Sequence, residues 1–138
     1  MKKPFRTIVF SILVMVLLLF ATSCKDSNRV KVGLLTDITG RSSQIGIAGR
    51  NALEIAVDEY NKGNHTYNIE LIIKDDKGSR DDLKKVMKEF EQEDVHFIIG
   101  PYTSNIAIEI VSLNMNNNEN MLILSPTVST DTVINVDD

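Results

Sequence analysis

Short apolar runs alternate with longer segments of helical periodicity along most of this chain, and that alternation limits the possible fold more than any other feature. Four runs are short enough to be strands, and the three segments between them carry apolar residues every three or four positions. Such alternation is typical of βαβ units, in which helices cover both faces of a mostly parallel sheet. We therefore predict a three-layer α/β fold. The predicted strands are 30–35, 69–74, 95–99 and 121–124.

The three predicted helices have start and stop signals as well as spacing. Gly63 marks the end of the first helix. Ser79 and Asp82 approximate a capping box for the second helix, and Thr103 or Ser104 can cap the third. Their apolar residues at helical spacing are Ile45, Ala48, Ala52, Ile55, Ala56 and Tyr60 in the first helix (45–62), Leu83, Val86, Met87 and Phe90 in the second, and Ile106, Ala107, Ile110, Val111 and Leu113 in the third.

Right-handed crossovers predict how the strands are ordered. We expect parallel neighbours in the order second, first, third, fourth, with the first helix on one face and the next two on the other. Loops that follow parallel strands emerge at one edge, and ligands bind outside that edge where the strand order reverses. Three of the four loops are rich in hydroxyl groups, which together with helix N-termini suit a small anionic group. Each hydroxyl alone could equally be a helix cap, so the prediction depends on their convergence.

The amino terminus has the layout of a secretory signal. A basic front with Lys2, Lys3 and Arg6 precedes an apolar stretch at 8–20 and small residues before Cys24. The stretch is short for a membrane span, although an uncleaved anchor helix shares its hydropathy and positive flank. The tetrapeptide that ends at Cys24 resembles the bacterial lipobox, in which the cysteine is lipidated, but it has alanine where leucine is usual. We predict a signal peptide at 1–23 and a polar tether at 24–29.

Charge and cysteine content exclude some functions. Removing the first 23 residues takes away three positive charges and no negative one, which moves the net charge from −4 to −7. An acidic domain of this kind lacks the basic footprint that nucleic acid requires. Cys24 is the only cysteine, so no disulfide within the chain is possible, and lipid attachment explains its presence in an exported protein.

Candidate catalytic and metal-binding groups have weaker support than structural roles. The Gly46–Gly49 segment lacks the spacing of a dinucleotide fingerprint. Asp75 and Asp76 are adjacent on a strand, so their side chains point to opposite faces, and a turn or helix-start role is favoured over an acid/base pair. The sequence shows no zinc-binding spacing. A flavodoxin-like enzyme would need a nucleophile–base or phosphate-loop constellation that the sequence lacks, so we predict neither enzymatic activity nor a cofactor.

Three segments occur in the order and spacing of a known family. They are 30–61 with Thr39 and Gly40, 69–78 ending in Asp-Asp-Lys-Gly, and 98–104 with Ile-Ile-Gly-Pro, followed by Leu-Ser-Pro at 124–126. Together they resemble the amino-terminal lobe of type I periplasmic binding proteins, the group that includes branched-chain amino-acid receptors of ABC importers. The resemblance covers nearly all of 30–138.

The resemblance implies positions for the ligand. Ser104 falls where the family commonly has a hydroxyl that holds the ligand carboxylate, and Ser129 falls near its second hydroxyl position. The loop at 41–44 corresponds to the first ligand-facing loop. The predicted ligand-binding residues are Ser42, Ser43, Tyr102, Ser104, Thr127 and Ser129.

The implied function is that of a lipid-anchored, extracytoplasmic solute-binding protein that delivers an amino acid or related small molecule to an ABC permease. The sensing domain of a signalling receptor is the alternative, since the same fold serves there, but lipidation of Cys24 favours the importer. Family members continue well beyond the length of this chain and close a second lobe over the ligand. We therefore expect an incomplete lobe that offers one wall of a site, binds weakly alone and tends to associate through its exposed edge and face.

Overall fold

A computed structural model describes residues 28–117 and 121–134 of the chain. Strands and helices alternate over these residues, as the apolar pattern predicts. In chain order the elements are β1 (Arg29–Thr36), α1 (Ser43–Lys62), β2 (Asn68–Asp75), α2 (Arg80–Gln92), β3 (Phe97–Ile99), α3 (Ser104–Asn117), β4 (Leu122–Leu124) and α4 (Asp131–Ile134). The predicted signal peptide and Cys24 lie outside the described residues.

The four strands form one parallel sheet with the order β2-β1-β3-β4. Gly33, in the middle of β1, is paired with Ile72 on one side and Ile98 on the other. The predicted strand order and direction are therefore confirmed. Because β1 lies inside the sheet, Leu34 and Leu35, whose side chains point to opposite faces, are both fully buried, as expected for the end of a nearly continuous apolar run.

Helices cover both faces of the sheet, so the predicted three-layer α/β arrangement is also confirmed. A Cβ atom at Gly33 would lie 2.8 Å from the ring of Phe90 in α2, whereas Thr36 lies against Gly46 in α1. Residues 33 and 36 point to opposite sides of the strand, so α1 and α2 occupy opposite faces. The main core lies on the α2 side and contains Leu35, Leu83, Val86, Met87, Phe90, Val95, Ile98, Ile106 and Ile110.

The start of α2 follows the predicted capping box. Ser79 has extended backbone geometry, and its hydroxyl accepts a hydrogen bond from the Asp82 amide at 3.4 Å. The predicted stripe of α2 is buried, and Phe90 is fully inaccessible to solvent. An ion pair of 3.0 Å between Arg80 and Glu109 links α2 to α3. The N-cap hydrogen bond therefore fixes the start of α2, and the buried stripe is the side of α2 that packs in the core.

The apolar residues that identify α1 are not the ones that face the sheet. Ile45 and Ile55 are 43% and 60% exposed, and Ala48, Ala52 and Ala56 are exposed as well. The face turned towards the sheet instead contains Gly46, Gly49, Leu53, Val57 and Asn61. A Cβ atom at Gly46 would lie 1.8 Å from the Asp37 carbonyl oxygen, so close backbone contact sets the rotation of α1.

Two smaller predictions needed correction. Strand β3 begins at Phe97 instead of at residue 95, because Asp94 has a positive φ of 59° and Val95 donates its amide to the Phe90 carbonyl at the end of α2. The short helix α4, Asp131–Ile134, was not predicted. Gly63 does end α1, but with a φ of −75° and not through the left-handed conformation that favours glycine.

One face of the sheet is incompletely covered. Helix α1 packs over β1 and β2, and on the same side of β3 and β4 the side chains of Phe97, Leu122 and Leu124 are 53%, 61% and 66% exposed. These three residues form what we call the bare apolar face. Within 28–117 and 121–134, no helix has the length and hydropathy needed to cross a membrane.

Candidate functional site

The carboxyl ends of all four strands meet at one edge of the sheet. Because β1 connects to β2 on one side and β3 leads to β4 on the other, the strand order reverses between β1 and β3. This is the position at which open parallel sheets bind ligands. The loops at the reversal are 37–42 and 100–103, and they carry or adjoin four of the six predicted ligand-binding residues: Ser42, Ser43, Tyr102 and Ser104.

The first loop is shaped by Asp37. Its carboxylate accepts the amides of Gly40 at 2.5 Å and Ser42 at 2.8 Å. Ser42 is the N-cap residue of α1, yet its hydroxyl makes no capping bond to the helix. Ser42 and Ser43 are both half-buried. The Ser42 hydroxyl is thus not engaged in capping α1, and a ligand-binding role for Ser42 and Ser43 stays a prediction.

The same loop is also held from the neighbouring strand. Asp75, the last residue of β2, accepts the Ile38 amide at 2.8 Å, the Thr39 hydroxyl at 2.6 Å and the Lys77 amide at 3.0 Å. Burial tends to raise the pKa of Asp75, but these hydrogen bonds outweigh it and hold the pKa below its ordinary value. A Cβ atom at Gly40 would lie 2.3 Å from the Lys77 carbonyl oxygen, so the two turns are in close contact.

Asp76 has a different environment from Asp75. It is 1% exposed, its carboxylate accepts the Gly78 amide at 2.8 Å, and its own amide donates to the Thr36 carbonyl at 3.1 Å. Burial, together with the negative charge of Asp37 nearby, raises the pKa of Asp76 to about 6 against the opposing effect of the hydrogen bond from Gly78. The two adjacent carboxyl groups therefore have separate partners, and the predicted turn role is confirmed.

The third loop lies against α1 through Tyr102. The peptide bond between Gly100 and Pro101 is cis, and the Gly100 amide donates to the Leu124 carbonyl at 2.9 Å. The Tyr102 ring then lies over Gly49, where a Cβ atom would be only 2.3 Å from the ring carbon Cζ. Partial burial raises the pKa of the Tyr102 hydroxyl. The structure thus brings the loop after β3 into contact with α1, the helix that follows β1.

The fourth loop is attached to the third by two hydroxyl groups. Ser125 donates to the Pro101 carbonyl at 2.6 Å, and Thr127 donates to the Tyr102 carbonyl at 2.9 Å. Because its hydrogen is engaged there, Thr127 meets a ligand only as an acceptor. Ser129 is exposed in the segment before α4. A binding role for these residues stays a prediction.

Sequence reasoning missed Asp37, Asp75 and Ser125 as organisers of this edge. The available signal was a carboxylate or hydroxyl directly after a buried strand, where free loop amides need acceptors. Among residues 28–117 and 121–134, no three His, Cys, Asp or Glu side chains are grouped as a metal site would require. What the structure shows at this edge is a set of loops held in place by the hydrogen bonds of Asp37, Asp75, Ser125 and Thr127.

Residues 29–135 match the family model described as periplasmic binding protein. The chain belongs to the periplasmic binding protein family. The match covers all the described strands and helices, and it includes every predicted ligand-binding residue. No curated protein is significantly similar to the chain in sequence.

Solved structures of family members have the same fold. A branched-chain amino acid transporter substrate-binding protein from Streptococcus pneumoniae, in complex with isoleucine, has a TM-score of 0.67 and 25% identity, over 76% of this chain and 30% of its own. A leucine-binding protein from Thermotoga maritima has a TM-score of 0.66 and 20% identity, over 77% and 30%.

A solute-binding protein of an ABC transporter from Rhodopseudomonas palustris, in complex with 3,4-dihydroxybenzoic acid, has a TM-score of 0.66 and 22% identity, over 78% of this chain and 29% of its own. The chain therefore spans about 30% of the length of the solved relatives it matches. It has the fold of the amino-terminal part of a type I periplasmic binding protein lobe, as the sequence motifs predicted.

Proposed function

We propose that this chain supplies one wall of the ligand site of an extracytoplasmic solute-binding protein that serves an ABC importer. The observation that carries the proposal is the packing of Tyr102, from the loop after β3, on Gly49 of α1 beside the strand reversal, next to a helix start at which the Ser42 hydroxyl makes no capping bond. The wall binds its ligand without transforming it. Membership of the periplasmic binding protein family supports this class of function.

The proposed ligand is an amino acid or a related small molecule with a carboxylate. The Streptococcus pneumoniae relative is in complex with isoleucine, which has such a group. Two helices, α1 and α3, begin at the strand reversal. The start of α1 already has a carboxylate, because Asp37 accepts the Ser42 amide there. A second carboxylate is repelled there, so the start of α3 at Ser104 is the favoured place for the carboxylate of the ligand.

The proposed site contains the six predicted residues, of which Tyr102 holds the loop after β3 against α1 and the other five supply hydroxyl groups. Ser104 donates to the carboxylate, while Thr127 accepts from a donor group because its hydrogen is bound by the Tyr102 carbonyl. Ser42, Ser43 and Ser129 contribute hydroxyls at the rim. We also propose that the mature protein begins at Cys24 and is held at the cell envelope by lipids on that residue, with an ABC permease as its partner.

Titration calorimetry of the segment Cys24–Asp138 with L-isoleucine and other amino acids tests the proposal. A few hydrogen bonds to an open wall, each about 0.5–1.5 kcal/mol net, predict dissociation constants of about 1 mM or weaker. Ser104→Ala should abolish the weak signal. Ser112→Ala, which removes a hydroxyl near the other end of α3, is the matched control and should leave it unchanged. A micromolar signal from a monomer would contradict the single-wall account, and equal signals from both variants would contradict the role of Ser104.

A further inference from the structure

The loop 37–42 is held by a pair of carboxylates that we call the carboxylate clasp, Asp37 and Asp75. Together they accept every second backbone amide of the loop, those of positions 38, 40 and 42. Asp37 belongs to the loop itself, whereas Asp75 reaches it from the adjacent strand β2. The loop is therefore held by one carboxylate of its own and fastened to the sheet edge by a second carboxylate from β2.

Asp75 is the member that couples the loop to a second element. It is paired with Thr36 at the end of the β1–β2 ladder, so its position is fixed by the sheet. From there it bonds the Ile38 amide and the Thr39 hydroxyl in one turn and the Lys77 amide in the other. Hydrogen bonds to a charged acceptor are stronger than those between neutral groups. The lowered pKa of Asp75 means that the acceptor is ionised at neutral pH.

We propose that Asp75 is a positioning residue for ligand recognition, because it holds the loop 37–42 in the one arrangement that presents the Ser42 and Ser43 hydroxyls at the strand reversal. The inference rests on the proposed function, since it assigns Asp75 a role in the same site. Asp75 acts through the loop and does not itself contact the ligand.

The clasp also decides which atoms of the loop a ligand meets. The amides at 38, 40 and 42 are used by the carboxylates, so the ligand encounters side-chain hydroxyls in place of backbone donors. A loop that is ordered before binding does not have to be ordered by the ligand. Loss of Asp75 therefore weakens binding through loop disorder while leaving the core helices in place.

Four variants of the 138-residue chain test this role. Asp75→Ala removes the acceptor. Asp75→Asn keeps one side-chain oxygen that can accept the Ile38 and Lys77 amides, and its side-chain NH2 group can donate to the Thr39 hydroxyl. Thr39→Val removes one partner of Asp75. Asp82→Ala is the matched control, because Asp82 is a carboxylate near the same sheet edge that bonds Lys77 at 3.1 Å and not the loop 37–42.

Two measurements separate positioning from general stability. Backbone amide exchange reports the order of residues 38–42, and ligand-observed NMR with L-isoleucine reports binding. In Asp75→Ala we expect faster exchange confined to 38–42 and about five- to tenfold weaker isoleucine binding, as expected when a preorganised loop becomes mobile. Asp75→Asn should restore most of the exchange protection at 38–42 and most of the isoleucine affinity. Thr39→Val should give exchange rates and an affinity between those of Asp75→Ala and the unchanged chain. Asp82→Ala should match the unchanged chain in exchange and in affinity.

Three results would overturn the inference. They are unchanged exchange at 38–42 in Asp75→Ala, an equal effect of Asp82→Ala, and no rescue by Asp75→Asn. If Asp75→Ala does not fold, Asp75→Asn and Thr39→Val decide by the same two measurements. If the unchanged chain gives no isoleucine signal, that result counts against the proposed function. The exchange pattern then still supports or overturns the clasp by whether 38–42 loses protection in Asp75→Ala and keeps it in Asp82→Ala.

Discussion

The ring of Tyr102 occupies the space that any side chain at Gly49 would need, with its Cζ atom 2.3 Å from the position of a Cβ atom there. Tyr102 follows β3, and Gly49 lies in α1, so this contact joins the two elements on either side of the strand reversal. Gly49, which belongs to a segment without the spacing of a dinucleotide fingerprint, therefore contacts a residue of the predicted ligand site.

Gly49→Ala should destabilise the protein by about 1–3 kcal/mol, because the added methyl group forces Tyr102 or α1 to move. Urea unfolding followed by circular dichroism measures the change. Gly63→Ala is the matched control, because its closest contact would be with the exposed His65 ring, which can move away, and the Tyr60 carbonyl oxygen would lie farther off at 3.2 Å. Combining Gly49→Ala with Tyr102→Ala should cost less than the sum of the two single changes. Additive costs in that double-mutant cycle would refute the contact.

Asp76→Asn should change how stability depends on pH. The folded pKa of about 6 exceeds the unfolded value of 3.8, so between these values the folded state binds more protons. The free energy of unfolding of the unchanged chain therefore falls as the pH rises from about 4 to 6, by about 2–3 kcal/mol at most. The asparagine keeps an acceptor for Gly78 without a buried charge, so the variant should be more stable at pH 8 and similar at pH 4.

Urea unfolding at pH 4, 6 and 8 compares that variant with Asp81→Asn, which alters an exposed carboxylate in the first turn of α2. The control should lose a few tenths of a kcal/mol through the helix dipole at pH 8. Parallel pH curves for the unchanged chain and Asp76→Asn would show that Asp76 does not carry a raised pKa.

Substitution on the bare apolar face should reduce self-association. Leu122 and Leu124 are 61% and 66% exposed next to Phe97, and apolar side chains grouped in this way favour contact between copies. The double substitution Leu122→Lys with Leu124→Lys should shift the segment Cys24–Asp138 towards monomer. Sedimentation velocity at about 100 μM measures the shift, since exposed apolar surface drives association at that concentration. Tyr67→Lys changes another exposed apolar residue, 52% exposed and remote from this face, and should have no effect. Unaltered association in the double variant would place the contact elsewhere.

Anchoring should depend on Cys24. Cys24→Ser should release the protein into the soluble fraction or leave the precursor uncleaved, because one acyl chain holds a protein only marginally and the attachment site is lost. Cell fractionation and metabolic labelling with a radioactive fatty acid measure the outcome. Ser23→Ala, which keeps a small residue before the cysteine, is the control and should retain both label and membrane location. Persistence of label in Cys24→Ser would exclude this cysteine as the lipidation site.

Much of the fold was predictable because the apolar periodicity of each segment and the rules for connecting parallel strands lead to the same arrangement. The nearly continuous apolar run of β1 requires cover on both faces, and right-handed crossovers then leave the order β2-β1-β3-β4. Ser79 and Phe90 placed α2 by a cap and a buried stripe. The candidate edge followed from topology alone, since the loops after parallel strands must emerge together.

The sequence by itself thus determined the class of fold, the strand order and the edge at which the loops after the strands lie, since these depend on periodicity and chain direction. Only the tertiary structure decided which side of α1 meets the sheet, because Gly46 and Gly49 allow contacts closer than any apolar stripe can make. It also decided the partners of Asp37 and Asp75. Hydrogen bonds across 36 and 37 positions, such as those from Thr39 and Ile38 to Asp75, exist only when two strand ends lie side by side.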